Sequence, residues 1–306
     1  MFRPLAIVAV LLTAIGAAEP RTDPFSVGVM RRDGAVVPIG SFDGKQWSVN
    51  WPGPALDIEL PITLGSVPKA WWGPTKPLGE WQVWPEKGEP RVVSVTQPDW
   101  VDAHCTRQIV LRTNYRSDET AARPTEQPYP KDCLVVSPPQ KVERIERVSI
   151  ASFEALGLPA VVKKAFDNAE EETANRFGHP LRRAVRQGVD VTIEAAYTFG
   201  SPRVYYVEAA RGYQSNTKES DCVLSFGTGW FASDSSGSLV KLDMAVDLLR
   251  CNRYGASYML PLGVLRIGER TFWVVQYAGW DHERYVIAET KADRVEAAVI
   301  KGGGGC

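Results

Sequence analysis

Leu262-Gly263-Val264-Leu265-Arg266-Ile267-Gly268-Glu269-Arg270-Thr271-Phe272-Trp273-Val274-Val275-Gln276-Tyr277-Ala278 decides the fold class. Two apolar runs flank Gly268-Glu269, and glycine at the first position of a two-residue loop suits the type II′ turn, whose twist matches that of paired strands. The stretch therefore reads as a β-hairpin. Working outward, the pattern recurs. Residues 284–290 and 294–300 flank Ala292-Asp293, residues 223–232 and 239–242 flank a polar Ser/Gly loop, and residues 189–199 and 203–210 flank Gly200-Ser201-Pro202. Near the start, residues 26–30 and 35–39 flank Arg31-Arg32-Asp33-Gly34, with a second Asp-Gly at Asp43-Gly44. Residues 91–96 and 108–113 also read as strands. Successive hairpins predict a mainly β fold of antiparallel sheets. Sandwich, barrel and propeller closure all fit the pattern; residues 27–39 and 229–242 share a loose strand-Asp-Gly-strand similarity, which is too little to define a repeat.

One segment breaks the strand pattern. Pro159 suits a first helical turn, Gly178 suits the position past a helix end, and Pro180 follows. Between them Val162, Phe166, Ala169, Thr173 and Phe177 share a face, which predicts one long amphipathic helix over residues 159–177. Lys163, Lys164, Asp167, Glu170 and Glu171 fall elsewhere, and the Glu170-Glu171-Glu172 run reads as a solvated helix face. The chain thus divides into a Trp/Pro-rich β part (19–150), a helical segment (151–188), a β-hairpin part (189–300) and a flexible Gly-rich tail (301–306).

The first 18 residues have the layout of a secretory signal peptide. Met1-Phe2-Arg3 carries one positive charge, residues 4–18 are uncharged and mostly apolar, and Ala18 precedes Glu19 as a small residue at the cleavage position. The apolar stretch falls short of the ~20 residues that a spanning helix needs, so no membrane span is expected after cleavage. The expected address is periplasmic or extracellular. Cysteine usage agrees with this. Sequence-local pairing of Cys105 with Cys133 and of Cys222 with Cys251 closes loops of about 30 residues, worth roughly 3–4 kcal/mol each, and leaves Cys306 as the odd thiol. A net charge of −1 argues against nucleic acid or anionic lipid as the main partner.

Catalytic motifs are scarce. There is no Gly-x-Ser-x-Gly, His-Glu-x-x-His, phosphate-binding glycine loop or dinucleotide fingerprint, and Ser66-Val67-Pro68-Lys69 lies in a Pro-rich stretch that does not support the helical turn its chemistry needs. No cofactor and no metal site is expected. Of three histidines, only His282, in Trp280-Asp281-His282-Glu283, has two adjacent carboxylates, so Asp281, His282 and Glu283 are the candidate acid–base groups of an extracytoplasmic hydrolase. A polar turn between strands explains the same residues. Seven of ten tryptophans lie between residues 47 and 100. Trp71, Trp72, Trp81 and Trp84 are candidates for a surface that binds a partner protein or a saccharide, the alternative being that they fill a core. The expectation is an exported, non-catalytic binding protein.

Overall fold

The computed structural model describes residues 23–56, 59, 63–115, 129, 131–213, 222–234 and 237–306; the expected signal peptide and most of the polar loop after residue 116 lie outside them. The fold is mainly antiparallel β with one long helix, and its strands form three sheets. The first contains β1 (Phe25–Met30), β2 (Val36–Phe42), β3 (Trp47–Ser48), β4 (Glu80–Trp84), β5 (Arg91–Ala103), β6 (Thr106–Thr113) and β7 (Cys133–Val136). Their order is β1-β7-β4-β5-β6-β2-β3, and β1 also pairs with β2, so six of the strands close into a barrel. The second sheet holds β8 (Glu146–Arg147), β9 (Thr192–Phe199), β10 (Val204–Tyr213), β11 (Val223–Ser233) and β12 (Leu239–Arg250). The third holds β13 (Tyr258–Ile267), β14 (Arg270–Ala278), β15 (His282–Thr290) and β16 (Val295–Gly305) in sequence order. The hairpin at Gly268-Glu269 joins β13 to β14, with Ile267 opposite Arg270. The hairpins after the helical segment therefore divide between two sheets.

Side-chain alternation stacks these sheets. On β14, Phe272 and Val274 pack with Val27, Val29, Val37, Ile39, Leu134 and Val136 of the barrel wall. The intervening Trp273 and Val275 pack with Tyr206 and Trp230 of the five-stranded sheet, and the Trp230 and Trp273 rings meet edge-on at 5.0 Å. Successive strand residues point to opposite faces, so the four-stranded sheet is buried on both. The outer face of the five-stranded sheet carries α2 (Leu158–Phe177), preceded by α1 (Ile150–Ala155) and followed by α3 (Arg183–Gln187). Val162, Phe166 and Ala169 pack there on Tyr205, Val207 and Phe231. Gly227 makes the close approach possible, because a Cβ there would lie 2.7 Å from the Phe166 ring.

Two expectations about the helix are corrected. Phe177 is 71% exposed, not inward. The last contact of that face is Thr173, whose hydroxyl donates to the Val246 carbonyl at 2.8 Å, and Phe177 falls one turn beyond it. Glu170 is buried rather than solvated. Its two oxygens accept from Arg211 Nη1 at 2.8 Å and from the Tyr213 hydroxyl at 2.6 Å, while Arg211 Nη2 donates to Asp167 at 2.6 Å. A carboxylate that is excluded from water needs such partners, and here β10 supplies both.

The glycine-rich end is not a loose tail. Gly302, Gly304 and Gly305 pair with Arg284, Glu283 and His282 as part of β16. The glycines reflect lack of room: a Cβ on Gly303 would press on Tyr285 and Glu283, and one on Gly304, at φ +132°, would meet the Ala103 backbone. Lys301 is buried and donates to the Trp51 and Pro52 carbonyls, and burial pulls its ammonium down to about 8. This strand delivers Cys306 to Cys105, with Cα atoms 4.9 Å apart. Cys133, expected to pair with Cys105, is instead a free thiol on β7, partly buried and with its pKa raised by that burial. Loop-closure entropy grows only slowly with loop length, so sequence proximity was a weak guide and sheet geometry decided the partner. Cys222 pairs with Cys251 as expected, at a Cα separation of 5.5 Å. No helix among the described residues is long and apolar enough to cross a membrane.

Two substitutions test the helix face. Phe166→Ala is expected to lower stability by roughly 3–5 kcal/mol through the cavity it leaves, whereas Phe177→Ala should stay within about 0.5 kcal/mol of the parent. Equal urea midpoints for the two variants would contradict the assigned face. Glu170→Ala leaves Arg211 with Asp167 as its remaining carboxylate and the Tyr213 hydroxyl without its acceptor, and is expected to cost about 1–3 kcal/mol in the same measurement.

Candidate functional site

A cavity of about 710 Å³ opens where the three sheets fail to meet completely. Its walls come from the end of β4 (Trp84), from β9 (Glu194, Tyr197), from β10 (Glu208) and from the start of β13 (Tyr258 to Leu262), with Tyr129 and Lys131 alongside. The strip from Val142 to Arg147 forms one side. It is tied to the four-stranded sheet by the bridge between Glu143 and Val264 and to the five-stranded sheet by the pairing of β8 with β9.

A β-bulge places the acidic groups. On β9, Ala195 pairs with Glu208 and Ile193 pairs with Ala209, so Glu194 is the extra residue. Without the bulge, strict alternation would send Glu194 toward α2 with its neighbours. The extra residue breaks the alternation, returning Ile193 to the helix side and leaving Glu194 beside Ala195 on the cavity wall. Glu194 is then gripped by Arg253, with Nη1 to Oε2 at 2.7 Å and Nη2 to Oε1 at 2.6 Å. Arg253 Nη1 also lies 3.3 Å from the Tyr258 hydroxyl. Arg253 has φ 59°, one of two non-glycine residues in the left-handed region among the described residues. Backbone in that region is costly for a non-glycine residue and concentrates at functional sites. Hydrogen bonding to Glu194 holds the guanidinium charged well above its ordinary range.

Glu208 behaves differently. It is 4% exposed, and its Oε1 accepts the Met259 backbone N–H at 2.6 Å. Burial pushes its carboxyl up to about 7; the Met259 N–H opposes the rise and the nearby Glu194 charge adds to it. Burial also raises the Tyr197 phenol, with Glu208 contributing, and the Tyr129 phenol. The cavity thus has three phenols, one indole, a clamped ion pair and a carboxyl that titrates near neutrality.

The residues singled out in the sequence are placed otherwise. Trp72 and Trp81 are buried in the barrel interior with Val83, Val93 and Leu111. Trp71 is partly buried and packs edge-on against Trp51 at 5.4 Å. Only Trp84 of that set borders the cavity. Asp281 and His282 bond each other, Nδ1 to Oδ1 at 2.9 Å, and this bond holds the Asp281 carboxyl below its usual range. Glu283 turns inward, where the Tyr285 hydroxyl lies between its carboxyl and that of Asp132. The three residues of that segment do not converge on one surface. No group of three metal-ligating side chains occurs among the described residues.

Glu194, Glu208, Arg253, Tyr197 and Tyr258 escaped the sequence reading. One signal was available: Glu208 is the single charge in the apolar run Tyr205-Tyr206-Val207-Glu208-Ala209-Ala210. No protein-family model, curated protein or solved structure matches the chain.

Glu208 makes a pH-dependent contribution of definite sign. Its folded pKa of about 7 lies above the ordinary 4.5, so folding favours the protonated form. The penalty is absent below pH 4.5, grows as pH rises toward 7 and is complete above 7. The rise corresponds to about 3 kcal/mol. Glu208→Gln should therefore match the parent near pH 4.5 and exceed it by about 2–3 kcal/mol at pH 8, as read from urea midpoints at the two pH values. A variant less stable than the parent at pH 8 would contradict a strained buried carboxylate.

Proposed function

We propose that this chain is an exported, non-catalytic binding protein that holds a saccharide in the cavity between its three sheets. The observation that carries the reading is the clamped Glu194–Arg253 pair set among aromatic walls. Tyr197 and Trp84 are half-buried rings with polar tips, suited to the alternating C–H and hydroxyl surface of a sugar, with the buried Tyr129 and Tyr258 behind them. The walls carry charge of both signs: Glu194 pairs with Arg253 and Glu86 with Lys131 at 3.3 Å, while Arg144 and Arg147 also line the cavity. The volume falls within the ~300–1,000 Å³ of small-molecule sites. Two disulfides fit an oxidising compartment, in keeping with the N-terminal segment read as a secretion signal. Hydrolysis by Asp281, His282 and Glu283 is not preferred, because Glu283 turns inward to Tyr285, away from the Asp281–His282 pair.

The test is calorimetric titration with soluble neutral sugars. The parent should bind at least one of them, and Tyr197→Ala should weaken that binding by about 1 kcal/mol or more with little change in melting temperature. Absence of heat with every sugar, or unchanged affinity in Tyr197→Ala and in Glu194→Gln, would overturn the reading.

A further inference from the structure

Beyond the cavity lies an aromatic feature not yet assigned. The rings of Tyr254 and Trp280 stack at 4.7 Å with an interplanar angle of 20°. They are nonetheless 53% and 41% exposed. Stacking covers one face of each ring, so a flat aromatic surface remains turned to solvent. Paired, exposed aromatic surface of this kind marks binding sites more often than isolated apolar residues do.

Its position is fixed by the same elements that build the cavity. Tyr258, on the cavity wall, stands opposite Ala278 in the ladder between β13 and β14. Trp280 follows Ala278 by two residues, a step of about 7 Å along an extended chain. Tyr254 adjoins Arg253, the residue that clamps Glu194 and reaches Tyr258. Tyr129 bridges the two regions: its ring lies 5.9 Å from that of Tyr258, and its phenol is within electrostatic reach of both Tyr258 and Asp281. Beside the platform, Asp281 and His282 form a part-exposed carboxylate–imidazole pair, a planar polar group able to accept from and donate to hydroxyls.

We infer that the stacked Tyr254 and Trp280 rings form a second subsite for the same ligand, so that the ligand is an oligosaccharide running from the cavity past Tyr129 and Tyr258 onto the platform. This rests on the saccharide reading of the cavity. One end of the chain lies in the cavity among Tyr197, Tyr258 and the Glu194–Arg253 pair. A later unit lies flat on the exposed ring surface, with Asp281 and His282 at its edge. Affinity should then depend on chain length, because the platform is reached only by a ligand long enough to leave the cavity.

The experiment is calorimetric titration of the full chain with neutral β-1,4- and α-1,4-linked glucose oligomers of one to six units. For the linkage that binds, affinity should rise about tenfold between the shortest ligand that binds and the hexamer. Trp280→Ala and Tyr254→Ala should each remove most of that gain while leaving the affinity of the shortest ligand and the melting temperature unchanged; Trp280→Phe should retain it. Length-independent binding, or a length dependence untouched in both alanine variants, would overturn the platform and leave the cavity reading standing. No binding of any oligomer to the parent would overturn both. A loss of affinity at every length in Trp280→Ala and Tyr254→Ala alike would place the platform within the cavity site rather than beyond it, and would also overturn the inference.

Discussion

The structure depends on one constraint: the four-stranded sheet is covered on both faces. Phe272 and Val274 point to the barrel, and Trp273 and Val275 point to the five-stranded sheet. A solvated face would leave several large apolar side chains in water, each at a cost of roughly 1.5–3 kcal/mol. The barrel and the five-stranded sheet are therefore held as outer layers about a common middle. The barrel wall is itself doubly covered along β1, β2 and β7. Val29, Val37 and Leu134 meet the middle sheet, while Met30, Val36 and Val135 turn into the barrel. The cavity follows from the same constraint. Twisted sheets stacked in three layers diverge toward their corners, and the corner bounded by β4, β9, β10 and β13 is where the space opens.

The tryptophans acquire their meaning inside this arrangement. A six-stranded barrel has an interior to fill, and most of its short strands cannot fill it alone. Trp51, Trp72 and Val67, from the Pro/Gly-rich stretch between β3 and β4, supply the missing volume together with Trp81. Trp51 is anchored by its indole N–H donating to the Ile109 carbonyl at 3.0 Å, and its backbone carbonyl receives Lys301 from β16. The irregular segment is thus stapled to the last strand, and the disulfide between Cys105 and Cys306 closes the same corner. Its aromatic content serves packing.

Local pattern made the hairpins legible. The turns at Gly34, Gly200 and Gly268, the register about them and the long helix all follow from residues within a few positions of each other. The layering was less accessible, because it depends on which sheet meets which face. The run Phe272-Trp273-Val274-Val275 is apolar at both alternating positions, which is the mark of a strand covered on two sides, yet it does not name the covering partners. Glu170 fails for a related reason. Within its helix it is one of three consecutive glutamates, and Arg211 and Tyr213, some forty residues later, draw it inward, while Glu171 beside it is half-buried against Arg186. The glycines after Lys301 were misread because the same residue that permits disorder in an isolated tail also permits close approach in a packed one.

The site was less visible still, since its decisive element is a register irregularity. A bulge has no strong residue signature, and Ile193-Glu194-Ala195-Ala196 reads equally well as a regular strand. In a regular strand Glu194 would face α2, whose half-buried Asp167 and buried Glu170 already share Arg211. A third carboxylate there would be unpaired and expensive. Moving Glu194 to the other face gives it Arg253, and the left-handed backbone at Arg253 is sustained by that bidentate bond. The charge so fixed stands near Glu208, which burial already disfavours as an anion, and adds to the rise of its pKa. Arg253 donates to both oxygens of Glu194, while Glu208 holds its proton to near neutrality. Protonated, Glu208 can donate a hydrogen bond as well as accept one.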